Sequence, residues 1–149
     1  MNYNNIPIIS PEYFQLTPQQ TNKKVKALFV SYDKKYEPQI IYEDPDKILS
    51  IVFPEIKTHT IFFANNIHMY VSSIENYICS RPNQTATMLV REICMKKYGT
   101  VLPEIVFGNI VIFGTMNLST NIVDNKNHSI PYHIIEEVIR IYDIIKKST

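Results

Sequence analysis

Glycine and tryptophan are scarce in this chain, which has three glycines and no tryptophan among 149 residues. Loops that hold a phosphate with backbone amides need closely spaced glycines, as in the GxGxxG and GxxxxGK patterns. Gly99, Gly108 and Gly114 form neither pattern, and no serine lies in a GxSxG nucleophile elbow. The sequence therefore disfavours the common nucleotide-binding loops and the serine-hydrolase elbow.

An excess of charge is also missing, because 15 basic and 14 acidic residues leave a net charge of +1. Nucleic-acid-binding proteins neutralise phosphates with surplus Lys and Arg, so a nucleic-acid partner is disfavoured. No segment approaches the roughly 20 apolar residues that span a bilayer, and no apolar run follows a basic start as in a signal peptide. Cys79 and Cys94 form no CxxC pair. We therefore expect reduced thiols, no membrane association and a cytoplasmic location.

The four histidines have no metal-ligand spacing. His59, His68, His128 and His133 form neither an HxH nor an HExxH pattern, so we expect no metal site and no cofactor. His59 and His68 flank an Asn-Asn turn, which suggests that they face each other across a hairpin. No nucleophile–base pair is visible in the sequence, and this favours a non-enzymatic protein. A hydrolase site assembled from distant His and acidic residues stays open as an alternative.

Regular strand and helix patterns begin after an irregular N-terminal segment. Residues 1–22 are rich in Asn, Gln, Pro and Thr, which predicts an extended arm, and residues 23–149 are predicted to form one α+β domain. Residues 23–33 are apolar on both faces of a β pattern, which indicates a central strand. Residues 38–42 predict a second strand, antiparallel to the first.

The middle of the chain predicts a short helix and a hairpin. Asp44 can cap a helix start with its carboxylate, and Pro45 suits the first helical position, so a helix is expected at 45–52. Residues 60–64 and 67–71 are rich in β-branched and aromatic side chains, with two asparagines between them. This pattern indicates two antiparallel strands joined by a tight turn.

Two amphipathic helices flank the last predicted strand. The helix at 83–98 carries an apolar stripe from Ala86 to Cys94, and the strand at 104–114 is nearly apolar throughout. The final segment, 129–147, has a second stripe at Ile134, Val138, Ile141 and Ile145. The resulting order, β-β-α-β-β-α-β-α, predicts an α+β fold: a mainly antiparallel sheet of about five strands covered by two or three helices.

The polar start of the 83–98 helix is the main candidate for a ligand site. Free N–H groups at a helix start can bind an anion, and the side chains of Asn83, Gln84, Thr85 and Thr87 would add donors. His128 belongs to a long polar loop, 116–129, that could contribute to the same site. The alternative for Asn83 is that it only caps the helix and binds nothing.

Short motifs along residues 23–116 resemble a family of small, poorly characterised α+β domains found in bacteriophages and large DNA viruses. The resemblance is carried by "VKALFVSYDKKYEPQIIYEDPDKILSIV", "IFFANNIHMYVSS", "PNQTATMLV" and "GNIVIFG". It implies a viral origin and, with the cytoplasmic expectation above, a setting in the host-cell cytoplasm. It implies no catalytic residues.

The favoured function is protein–protein contact or self-association by a non-enzymatic protein. Ten tyrosines and seven phenylalanines leave aromatic side chains for an interface once a core is filled. The alternative is a module that binds a small anionic ligand or nucleotide through the 83–87 helix start and the 116–129 loop.

Overall fold

A computed structural model describes the chain at residues 24–53, 58–64, 67–72, 81–99, 105–115 and 127–148. These ranges contain strands β1 (Val25–Val30), β2 (Gln39–Glu43), β3 (Thr58–Ala64), β4 (Ile67–Ser72) and β5 (Ile110–Gly114), and helices α1 (Pro45–Val52), α2 (Gln84–Tyr98) and α3 (Tyr132–Lys147). The predicted α+β class and element order are confirmed. The arm predicted at 1–22 lies outside the described residues, as do the turn at 65–66 and residues 116–126 of the predicted loop.

The strands form one antiparallel sheet in the order β2-β1-β5-β4-β3. β1 pairs with β2 on one side and β5 on the other, which confirms its prediction as an interior strand. All five residues of β5 are buried at the centre of the sheet. Strands that are covered on both faces are apolar on both faces, which explains the sequences of β1 and β5.

The hairpin of β3 and β4 is confirmed, but the predicted facing of its two histidines is wrong. Ala64 pairs with Ile67, so two residues connect the strands. His68 lies opposite Phe63, whereas His59 lies opposite Val71. Partners in a hairpin are nearly equidistant from its turn. The two histidines are not equidistant, since His68 is two residues beyond the connection and His59 is six residues before it.

α2 and α3 cover one face of the sheet and bury their predicted apolar stripes. The helix residues in this core are Ala86, Leu89, Val90, Ile93, Cys94, Ile134, Ile135, Val138, Ile141 and Ile145. The strand residues beneath them are Leu28, Val30, Ile67, Met69, Val71, Ile110 and Ile112. Each fully buried aliphatic side chain contributes about 1.5–3 kcal/mol of transfer free energy, so this layer is the main source of stability.

α1 packs on the opposite face and encloses a second core. Its residues Ile48 and Val52 are buried in one cluster with Ala27, Phe29, Ile41, Phe53, Val111 and Phe113. The helix spans the predicted range 45–52 and has the predicted cap, since Asp44 Oδ1 accepts a 2.9 Å hydrogen bond from the amide of Asp46. The sheet thus has helices packed on both of its faces.

β5 is shorter than the predicted strand at 104–114, because it begins only at Ile110. Gly108 has a φ of 78°, a left-handed conformation that interrupts an extended chain, and its amide donates to the carbonyl of Arg81. The predicted stop of α2 is confirmed, because Gly99 is left-handed at the C-cap with a φ of 68°.

Residues 128–130, called the return segment, run beside the end of β5 and the start of β1 and are hydrogen-bonded to both strands. His128 exchanges two backbone hydrogen bonds of 2.8 and 2.9 Å with Gly114, and the amide of Ile130 donates to the carbonyl of Lys26 at 2.8 Å. A Cβ atom at Gly114 would lie 2.0 Å from the carbonyl oxygen of Ser129, so this approach requires glycine. Among the described helices, none has the length and apolar character needed to cross a membrane.

Candidate functional site

Asn83, the first residue of the predicted ligand site, is fully buried at the start of α2. Its Oδ1 accepts a 3.1 Å bond from the amide of Ala86, and its Nδ2 donates to the carbonyls of Val30 at 3.1 Å and Gly108 at 2.9 Å. The capping role anticipated for Asn83 is therefore confirmed. Because both amide protons and the oxygen already have protein partners, Asn83 acts as a structural connector between α2, β1 and the segment before β5.

The other predicted residues at this helix start differ in accessibility. Thr87 is buried, and its Oγ1 donates to the carbonyl of Asn83 at 2.8 Å and accepts from the amide of Val106 at 2.9 Å. Thr85 is buried as well, whereas Gln84 is exposed. Gln84 and Thr87 both line an open cleft beside α2. Ligand binding by these side chains stays a prediction.

His128 lies far from the start of α2. It pairs with Gly114 beside Lys26, at the first residues of β1, while Asn83 contacts Val30 at the last residue of β1. Four residues of strand separate these points, which is about 13 Å at 3.3 Å per residue. The structure therefore does not bring His128 together with the helix start, and any site at the helix start would be built without it.

His68 belongs to a polar network that the sequence analysis did not anticipate. Its Nδ1 donates to Asn127 Oδ1 at 2.8 Å, and Asn127 Nδ2 donates to the Tyr70 hydroxyl at 2.9 Å. The rings of His68 and Tyr70 lie 4.3 Å apart, and Tyr70 meets Phe113 edge-on. Burial lowers the pKa of His68 below its ordinary value, and the bond to Asn127 opposes this effect. The network therefore links Asn127, which directly precedes the return segment, to two side chains of β4.

Two clefts lie between α2 and α3. The Glu92 groove is lined by Leu89, Glu92, Ile93, Lys96, His133, Ile134 and Glu137. Arg140 joins Glu92 to Glu137 across it, with 2.8 Å between Arg140 Nη2 and Glu92 Oε2. The bond from Arg140 holds the pKa of Glu137 at about 2, and both carboxylates raise the pKa of Arg140. Since these charges already satisfy one another, the groove offers no free carboxylate pair.

The second cleft, the Arg91 cleft, has a volume of about 540 Å³. It is lined by Pro82, Gln84, Thr87, Met88, Arg91, Ile105, Ile144, Ile145 and Ser148. Arg91 was not singled out from the sequence. Its spacing of four residues from Thr87 and seven from Gln84 places all three on one helix face, and this spacing could have identified it.

The outer edge of the sheet at β2 carries two exposed apolar side chains. Ile40 is 55% exposed and Tyr42 is 59% exposed. They pair with Leu28 and Lys26 of β1, so they lie on the sheet face that α2 and α3 cover further in. No described strand pairs with the other side of β2. The sequence predicted this strand, but the edge position follows only from the strand order.

The described residues contain no group of three or more His, Cys, Asp or Glu placed to hold a metal ion. Cys94 is a free, buried thiol, and Cys79 lies outside the described residues. Comparison with protein-family models, curated proteins and solved structures gave no match. The resemblance of residues 23–116 to a viral domain family therefore stays a prediction.

Proposed function

We propose that this protein is a non-enzymatic module that self-associates through the outer edge of β2. The observation that carries the proposal is the exposure of Ile40 and Tyr42 side by side on an edge strand. Edge strands present unpaired backbone groups that can add a further strand, and native proteins usually protect them with charge or proline. Within β2 itself neither protection is present on the exposed side, because its one charged residue, Glu43, is buried. Lys24, whose Nζ lies 6.0 Å from the centre of the Tyr42 ring, places one charge beside this edge.

A second copy of the chain is a suitable partner for this edge. Two β2 strands related by a two-fold axis pair antiparallel, and residues that face each other lie on the same side of the sheet. Centring the axis on Ile41 places Ile40 of each copy opposite Tyr42 of the other. Pairs of an aromatic and a β-branched side chain are favourable in sheets. This register brings all four exposed apolar side chains into lateral contact at once.

Neighbouring registers are less favourable. Moving the axis to Ile40 places Tyr42 opposite Pro38, which has no N–H to donate. Moving it to Tyr42 places Ile40 opposite Asp44, whose carboxylate caps α1. Because β2 has only five residues, the paired surface is small. We expect a concentration-dependent dimer, since interfaces below about 1,200 Å² are weak and transient.

The test is the mass of the protein in solution over a wide concentration range, by light scattering and sedimentation. We expect wild-type mass to rise toward that of a dimer, and Ile40→Lys or Tyr42→Lys to remain monomeric. The matched controls are Ile139→Lys and Tyr132→Lys, which place the same charge at residues of α3 that are 45% and 72% exposed. The proposal fails if the wild type is monomeric throughout, or if the β2 and α3 variants associate equally.

The proposal includes a setting in the cytoplasm of an infected host cell. The viral resemblance over residues 23–116 supports the host-cell part. The sequence supports the absence of a nucleic-acid partner, since a net charge of +1 gives no surplus of basic residues for phosphates.

A further inference from the structure

The Arg91 cleft combines an apolar wall with a guanidinium whose buried Nε has no hydrogen-bond acceptor among the described residues. Met88, Ile105 and Ile144 all line it, and all three are among the large apolar side chains that the structure leaves exposed. Its volume of about 540 Å³ lies within the range of about 300–1,000 Å³ typical of small-molecule sites. Exposed apolar side chains that converge on one concave surface indicate a binding site more strongly than scattered ones.

Arg91 supplies the charge. Its Nε is buried, and no described residue accepts a hydrogen bond from it. A guanidinium remains charged at any physiological pH, and a buried donor without an acceptor is costly. Among the described residues that line the cleft, none is acidic. Arg140 differs, because it lies between two carboxylates, Glu92 and Glu137, that neutralise it.

We infer that the Arg91 cleft binds a small amphipathic carboxylate, such as a medium-chain fatty acid. The acyl chain lies along Met88, Ile105 and Ile144, and the carboxylate accepts hydrogen bonds from Arg91. Guanidinium and carboxylate groups match in geometry and form the stronger, charge-assisted class of hydrogen bond. Gln84, exposed at the start of α2, is placed to donate a further hydrogen bond from the rim. The site does not depend on the association of β2 edges.

Decanoate is the probe, used below its micelle concentration and measured by isothermal titration and by NMR shifts of the α2 amides. A ligand of this size in an open cleft is expected to bind with a Kd of about 0.1–1 mM. Decanol has the same chain without the charge but dissolves only sparingly in water, so the two probes are compared by NMR at the concentration of a saturated decanol solution, where we expect decanol to shift the α2 amides less than decanoate does. Absence of decanoate binding up to about 5 mM would overturn the inference, as would equal shifts from the two probes at that matched concentration.

Variants test the charged part and the apolar part of the site separately. Arg91→Gln should weaken decanoate binding about tenfold and leave the amide shifts caused by decanol unchanged, while Met88→Ala should reduce the response to both probes. Lys96→Gln is the matched control, because it removes one positive charge from α2 at a residue of the Glu92 groove and should leave both affinities unchanged. If Arg91→Gln and Lys96→Gln weakened decanoate binding equally, the change in net charge alone would explain the effect, and the inference would be wrong. Circular dichroism of each variant shows that the fold is retained.

Discussion

Asn83 donates a 3.1 Å side-chain hydrogen bond to the carbonyl of Val30, so the first turn of α2 is connected directly to the end of β1. The same amide nitrogen donates to Gly108, just before β5. One buried side chain therefore fixes α2 both to β1 and to the segment before β5. Since α2 supplies one wall of both the Glu92 groove and the Arg91 cleft, the geometry of both depends on this connection.

We expect Asn83→Ala to lower the free energy of unfolding by about 3 kcal/mol, measured by urea denaturation. A lost helix cap costs about 1 kcal/mol, and two carbonyls left without donors in a buried site add a comparable or larger penalty. Asn83→Asp keeps the cap acceptor but removes both donors, so it should be at least as destabilising. The control is Asp44→Ala, which removes the more accessible cap of α1 and should cost about 1 kcal/mol. Equal losses at Asn83 and Asp44 would contradict the connecting role.

The capping role of Asn83 could be predicted from the sequence, but its connecting role could not. A cap is a local event, visible as Asn before an apolar helical pattern. The bonds to Val30 and Gly108 join residues 53 and 25 positions away, and these contacts exist only after the sheet is assembled. For the same reason the apolar faces of α2 and α3 were predicted correctly, whereas the pairing of His59 with His68 was wrong.

The candidate surfaces were less accessible to prediction than the fold. Hydrophobic periodicity identifies which face of an element is buried, but it does not show which strand lies at an edge. Ile40 and Tyr42 are exposed because β2 is the outermost strand. The Arg91 cleft likewise requires residues 82–91 and 144–148 to meet, and this contact depends on how two helices pack on the sheet.

Gly114→Ala should destabilise the protein far more than Gly99→Ala. A Cβ at Gly114 would lie 2.0 Å from the backbone oxygen of Ser129, so the return segment must move, at an expected cost of about 3 kcal/mol or more. At Gly99 no atom of the described residues, apart from its chain neighbours and its own helix, lies within 4 Å of the added Cβ, so the expected cost is about 1 kcal/mol for the left-handed φ. Thermal and urea unfolding of the two variants measure this difference. Similar losses would mean that residues 128–130 do not lie against β5.

Removing Glu137 should change stability in a pH-dependent way. Its pKa is lowered to about 2 in the folded protein, chiefly by the hydrogen bond from Arg140. A carboxylate with a lowered folded pKa stabilises the fold above its unfolded pKa of about 4.3, and this contribution disappears as pH falls toward 2. Glu137→Gln should therefore lower Tm at pH 7, by less than about 3 °C because the pair is solvent-accessible. Near pH 2 most of the difference in Tm should be lost, and a difference that stays constant from pH 7 to pH 2 would exclude this ion pair as the cause.

The lowered pKa of His68 predicts that the stability of the fold also depends on pH near neutrality. Burial lowers its pKa below the ordinary value of 6.5, so the unfolded chain binds a proton more readily than the folded one. Stability is then fully present above pH 6.5 and declines as pH falls below it. His68→Phe removes the titrating ring and fills a similar volume, although it loses the bond to Asn127, so it should be less stable than wild type at pH 7.5. When the pH is lowered from 7.5 to 5.5, the Tm of His68→Phe should nevertheless fall by a few degrees less than the Tm of the wild type. His133→Gln, at an exposed position on α3, should keep the wild-type pH profile. If His68→Phe retains the full decline and His133→Gln abolishes it, the buried imidazole is not the group that couples folding to pH.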